Sequence, residues 1–162
     1  MIIGNGDIAE ALKPIDRDDL AFIASGLSNS RAVDSINYMR ELQMINKYKD
    51  GHIVYFSSLC VYYSGHDNWN PNDRYAIYKR NIERYIRETC FLYTIVRLGN
   101  LTWGKNPHTL LNYLKAHPEA ERRDEIRYLI DKEEFQHWMK LIRPGVCDIM
   151  NLTGKMINVK DL

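Results

Sequence analysis

Short apolar runs alternate with longer stretches of helical period along this chain, and glycine, proline or acidic turns separate them. Met1–Ile3 is a buried-strand run ending in glycines, and Asp7–Lys13 is a short helix stopped by Pro14. A charged turn, Asp16-Arg17-Asp18-Asp19, precedes a second strand at Leu20–Ala24 and a polar loop at Ser25–Ser30. A long helix then runs to about Lys47, with Val33, Ile36, Met39, Leu42 and Ile45 predicted on one apolar face. His52–Phe56 is a third strand, Asp67–Asp73 a loop, Arg74–Thr89 a helix and Cys90–Val96 a fourth strand. Beyond the Gly99–Pro107 stretch the pattern predicts helix to about Leu141, a turn at Pro144-Gly145 and a last short strand at Asp148–Leu152. Strands alternating with helices predict a three-layer α/β domain around a mainly parallel sheet.

Composition narrows this picture in a few places. A chain of 162 residues suits one domain with a real core. The net charge is +1, and basic residues are interleaved with acids, as in Glu119–Glu125, so no nucleic-acid partner is expected. Three cysteines, Cys60, Cys90 and Cys147, lack metal-like spacing and fit free thiols in a reducing compartment. The five histidines make no metal-ligand spacing either, so no metal is expected. No apolar run is long enough to span a membrane, and Met1 leads directly into the first strand without a signal peptide. The expected location is the cytoplasm.

Three short motifs carry chemistry. Gly4-Asn5-Gly6-Asp7-Ile8-Ala9 has the form GxGxxA between a strand and a helix. The first glycine permits a tight turn, the second a close approach to a pyrophosphate, and the small Ala9 lets helix and strand pack. Asp7 is an objection, because a carboxylate repels a diphosphate unless it points away. Tyr75-Ala76-Ile77-Tyr78-Lys79 has the form YxxxK, which puts Tyr75 and Lys79 one helical turn apart. A nearby ammonium favours the phenolate, and the tyrosine becomes a general acid/base for a carbonyl or alcohol. Ser57 and Ser58 close the third strand, where α/β sheets bind ligands. Each motif alone has a plain structural alternative: a glycine-rich turn, surface neighbours in a chain with 11 Tyr, or serines satisfying the next loop.

The order of these motifs resembles the short-chain dehydrogenase/reductase superfamily, in its extended nucleotide-sugar epimerase and dehydratase type. The segments that carry the likeness are IIGNGDIAEAL, FIASGLSNS, HIVYFSSLCVY, YAIYKRNIE, TIVRLGNLTWGKNPHTLLNYL and NLTGKMINVKDL. The chain is most similar to a compact branch in which the glycine turn leads directly to a FASGxSNS-like strand end. Proteins of that branch are often associated with bacterial surface-polysaccharide synthesis. The resemblance implies a shortened Rossmann-like domain over residues 1–162, with 104–162 as a reduced substrate-binding part. It implies NAD or NADP as cofactor, a nucleotide sugar or related carbonyl compound as substrate, and Ser58, Tyr75 and Lys79 as catalytic residues. Gly4, Asn5, Gly6, Asp7, Ile8, Ser25, Gly26, Ser57, Lys79 and Leu98 would meet the cofactor, and Ser58 and Asn100 the substrate. Glu83 stands where the family often keeps a glutamate.

Several departures matter. Leu59-Cys60 follows the hydroxyl residue where dehydratases of this type carry an acid pair, which disfavours a dehydratase. The family's usual proline after Arg97 is Leu98. In the family register, Leu20–Ser25 is the fourth strand. The second and third strands, which carry the group that reads the adenosine ribose, are then missing. That register requires the short helix between the first two strands to change face or cross left-handed. In the alternative register Leu20–Ser25 takes the second-strand place, and Ser28, Ser30 or Arg31 meets the ribose. The family register is preferred because FIASGLSNS matches it. Either way the first strand lies at or near a sheet edge, and a second copy of the chain is expected to cover it or the tyrosine helix. A non-catalytic dinucleotide-binding or assembly module is the competing expectation.

Overall fold

A computed structural model describes residues 1–27, 29–63 and 73–162. The chain runs β1 (Ile2–Ile3), α1 (Asp7–Leu12), β2 (Ala21–Ile23), α2 (Ser35–Tyr48), β3 (His52–Ser58), α3 (Leu59–Tyr63) and α4 (Arg74–Thr89). It continues through β4 (Leu92–Leu98), β5 (Asn100–Leu101), α5 (Leu110–Ala116), β6 (Ile126–Ile130), α6 (Lys132–Lys140), β7 (Asp148–Leu152) and β8 (Lys155–Asn158). Ser28 and all of the expected 67–73 loop except Asp73 lie outside the described residues.

β1, β2, β3, β4 and β7 form one sheet in that order, and every neighbouring pair is parallel. Its strands are apolar on both faces, as a doubly covered sheet requires. Phe22, Val54, Phe56, Val96 and Leu98 pack on one face with Ala11 and Leu12 of α1 and Phe135 and Met139 of α6. Their alternates Ala21, Ile23, Ile53, Tyr55 and Ile95 pack on the other with Ile45 of α2 and Tyr78, Ile82 and Ile86 of α4. The result is a three-layer, Rossmann-like α/β architecture, shortened relative to the full doubly wound fold.

β2 lies between β1 and β3, pairing Ile2 with Phe22 and Ile23 with Tyr55. This is the fourth-strand place, so the family register is the one adopted, and β1 is the edge. The handedness follows. β1 to β2 and β2 to β3 step the same way across the sheet, yet α1 covers one face and α2 the other. The two crossovers are therefore of opposite hand. Right-handed crossovers are nearly universal, so the pair marks a place where the path is foreshortened.

Two expectations fail, one of them in part. The predicted apolar face of α2 holds only in part: Val33, Leu42 and Ile45 pack on the core, but Ile36 is 79% exposed and Met39 52%. The inward face carries Tyr38, Glu41, Leu42, Ile45 and Tyr48, with Glu41 only 2% exposed. A buried carboxylate, at a position the period does not mark, takes part of that face. The stretch expected as helix up to Leu141 contains β6, which pairs in parallel with β5 and antiparallel with β8, a strand the pattern does not predict. Tertiary pairing overrides a weak local pattern there.

Candidate functional site

The strand ends build the site. A cleft of about 710 Å³ opens at the C-terminal ends of β2, β3 and β4, lined by Ala24, Ser57, Ser58 and Leu98 among others. In open α/β sheets this is the edge at which ligands bind. α4 enters from the side. Asp73 caps it, accepting from the backbone N–H of Tyr75 at 2.9 Å and of Ala76 at 3.1 Å. The cap fixes the first turn, and the YxxxK spacing brings Tyr75 and Lys79 to the same cleft.

The glycine turn supplies the opposite wall. Gly4 has φ +134°, and a Cβ there would lie 2.3 Å from the Ala24 carbonyl oxygen, so only glycine lets β1 turn against the end of β2. Gly6 lines the cleft, and a Cβ on it would meet nothing within 4 Å. The backbone there faces open space in the cleft. Asp7 points away from it: its carboxylate accepts from the backbone N–H of Lys105 at 2.9 Å and of Asn106 at 3.0 Å. Trp103 Nε1 donates to the Asp7 carbonyl at 3.3 Å. The carboxylate is satisfied by these donors, and the residue straps the segment after β5 to the glycine turn.

Of the residues singled out from sequence, Gly6, Asp7, Ile8, Gly26, Ser57, Ser58, Tyr75, Lys79, Leu98 and Asn100 line this one cleft. Gly4, Asn5 and Ser25 do not; Gly4 works from beneath, through the turn. Ser57 and Ser58 differ in role. The Ser57 hydroxyl is buried and donates to Glu83 Oε1 at 2.6 Å. Glu83 also accepts from Arg97 Nη2 at 2.7 Å and Nε at 3.0 Å. The glutamate on α4 thus clasps the ends of β3 and β4. The Ser58 hydroxyl accepts from the Cys60 N–H at 3.3 Å and lies beside the Cys60 thiol. Asn100 donates to the Tyr128 carbonyl at 3.3 Å, which pins β6 beside the cleft.

The tyrosine's state departs from expectation. Tyr75 donates its hydroxyl to the Leu27 carbonyl at 3.2 Å. Burial, with smaller contributions from Cys60 and Glu41, pushes the phenol well above its ordinary range. The ammonium of Lys79 does not offset this, because Lys79 has another partner. It is 2% exposed and donates to Tyr55 Oη at 2.8 Å, and it lies 3.5 Å from Glu41 Oε2. Glu41 also accepts from Tyr55 at 2.6 Å, from Tyr78 at 2.9 Å and from the Leu27 N–H. Sequence reasoning missed Glu41. The available signal was an acid in helical register with Tyr38, Ile45 and Tyr48.

Cys60 lines the cleft as a free thiol, and burial pushes its pKa up, so it is no ready nucleophile. No cluster suited to a metal ion occurs among the described residues, nor is any of their helices long and apolar enough to cross a membrane.

No protein-family model and no curated protein sequence matches the chain. Solved structures do. WbmG from Bordetella bronchiseptica, solved in complex with NAD, is similar with a TM-score of 0.64 and 13% identity, over 88% of this chain and 53% of that one. TunA, an NAD-dependent NDP-hexosamine 5,6-dehydratase, is similar with a TM-score of 0.65 and 19% identity, over 88% of this chain and 58% of that one. The UDP-glucose 4-epimerase of Thermus thermophilus, solved with NAD, gives 0.56 and 14%, over 94% of this chain and 61% of that one. This chain thus spans little more than half the length of these structures. The fold these structures share with the chain is the Rossmann-like α/β fold, present here in shortened form.

Proposed function

We propose that the chain is an NAD(P)-dependent epimerase or oxidoreductase acting on a nucleotide sugar or a related carbonyl compound. One observation carries the reading: a single cleft gathers Gly6 of the glycine turn, Ser58 of the strand end, and Tyr75 and Lys79 of one helix. The neighbours solved with NAD support it, as does the structure of WbmG with both NAD and UDP. A bound nicotinamide would supply the hydride acceptor or donor. Gly6 and Ile8 would approach its diphosphate, Gly26 and Lys79 its nicotinamide-side ribose, and Ser57 and Leu98 the ring.

The chain's own residues handle the proton. Ser58 holds the substrate oxygen by hydrogen bond. As the tyrosinate, Tyr75 takes the proton from a sugar hydroxyl in the oxidative direction; as the phenol it returns the proton in the reductive one, and Lys79 stabilises the tyrosinate that precedes uptake and follows return. The phenol is protonated and bonded to the Leu27 carbonyl, so it has to leave that bond and give up its proton before it acts as a base. Residues 104–162 form the substrate side, joined to the glycine turn through Asp7. Surface-polysaccharide synthesis supplies the class of sugar nucleotide to try first. The exposed edge at β1 is the expected contact of a homodimer, for which concentration-independent sedimentation as a monomer is the opposing result.

The test is titration with NADH and NADPH, followed by turnover of nucleotide sugars. Tyr75→Phe is expected to keep dinucleotide affinity and to lose about 10²-fold or more in turnover. Full turnover by that variant defeats the mechanism. The foreshortened β1–β2 crossover favours a second reading, in which the chain binds dinucleotide without catalysis; binding with no turnover of any nucleotide sugar selects it.

A further inference from the structure

The YxxxK pair is wired to a third ionisable side chain that no motif predicts. Glu41 reaches the centre of the site from α2. Its carboxylate faces Lys79, Tyr75 and Tyr78 from α4 and Tyr55 from β3, while Cys60 from α3 and Glu83 from α4 face the Lys79 ammonium. Both members of the Glu41–Lys79 pair are about 2% exposed. Among the described residues neither is shared with another full counter-charge: Glu83, the other buried carboxylate, is engaged bidentately by Arg97. Gly26 closes the pair over, since a Cβ there would lie 3.1 Å from Lys79 Nζ and 3.4 Å from Glu41 Oε2.

Two paths lead from Glu41 to the tyrosine. Through charge, it is the partner that keeps a fully buried ammonium protonated. Through the backbone, it accepts the Leu27 N–H of the same residue whose carbonyl accepts the Tyr75 hydroxyl. One carboxylate therefore fixes both members of the YxxxK pair.

We propose that Glu41 is the positioning residue of this site: it holds Lys79 charged and aimed at the cleft, and holds the Leu27 peptide on which Tyr75 rests. This extends the oxidoreductase reading, and rests on it where dinucleotide binding is concerned. The charge relation between Glu41 and Lys79 stands independently. A buried ammonium stripped of its counter-charge prefers the neutral form. Such a group makes stability climb with pH, because the unfolded chain binds the proton that the folded chain refuses.

The experiment uses wild type, Glu41→Gln, Lys79→Met and the double variant. Melting temperature and NADH and NADPH affinity are measured from pH 5 to 9. Glu41→Gln is expected to gain a melting temperature that climbs with pH more steeply than wild type. Burial already lowers the Lys79 pKa in wild type and Glu41 opposes it, so the variant's dinucleotide affinity is expected to weaken toward pH 9 about tenfold or more beyond any wild-type decline. Adding Lys79→Met removes both pH dependences. A wild-type slope in Glu41→Gln, or a steep slope that survives in the double variant, overturns the proposal. If Glu41→Gln does not fold, a folded double variant supports the charge pair, and an unfolded one overturns it. If wild type binds neither dinucleotide, the oxidoreductase reading falls and the melting series alone decides the role of Glu41.

Discussion

Replacing Glu83 with glutamine should cost the fold far more than its isosteric shape suggests. Glu83 is 1% exposed and accepts from Ser57 at 2.6 Å and from Arg97 at 2.7, 3.0 and 3.2 Å. Glutamine retains an acceptor for Ser57, so the hydroxyl is not orphaned. The carboxylate's charge is lost, and with it the bidentate partner of a guanidinium whose side chain is only 17% exposed. Stranding one member of a fully buried pair costs about 3–5 kcal/mol. Arg97 retains some access to water, which lowers the expected loss to about 2–3 kcal/mol. The assay is urea unfolding at pH 7, with the m-value checked for constancy. Arg97→Met and the double variant complete a cycle, and the expected coupling is about 2 kcal/mol. A Glu83→Gln loss under about 0.5 kcal/mol, or strict additivity, would refute the reasoning. The clasp would then be ornament at the ends of β3 and β4.

Three further outcomes follow from the same geometry. Gly4→Ala places a Cβ 2.3 Å from the Ala24 oxygen at φ +134° and should destabilise by about 3 kcal/mol, read as a fall of roughly 6–12 °C in melting temperature; an unchanged melting point contradicts the turn geometry. Burial and then the Glu41 charge hold Tyr55 and Tyr78 above their ordinary range, so their contribution is fully present below about pH 10 and lost as pH rises; Tyr78→Phe should flatten the alkaline decline, and an unaltered decline counts against it. His52 accepts from the Gly145 N–H at Nδ1 and so carries its proton on Nε2 toward Thr94, and burial holds its pKa down. Its contribution is present above about pH 6.5 and lost as pH falls, and melting curves of His52→Gln should lack this acid slope.

The strands, the tyrosine helix and the glycine turn were legible in the sequence because each rests on local chemistry. Apolar runs bounded by turns give β3 and β7, helical period gives α4, and the GxGxxA pattern marks the turn after β1, where Gly4 alone needs glycine. The likeness to a foreshortened family member was legible too, since the distance from Gly6 to Leu20 leaves no room for two more strands. What the sequence left open was decided by contacts between elements far apart in the chain. The place of β2 beside β3, the opposite hand of the first crossover, and β6 inside a stretch of helical period all depend on pairing that no local window contains. Glu41 is the sharpest case. Its residue type argues for solvent, and only Lys79, Tyr55 and Tyr78, brought in from α4 and β3, make it cheaper to bury than to expose. Period and propensity report what each segment prefers alone, whereas the charge state and aim of this site depend on partners that meet only after the sheet has closed.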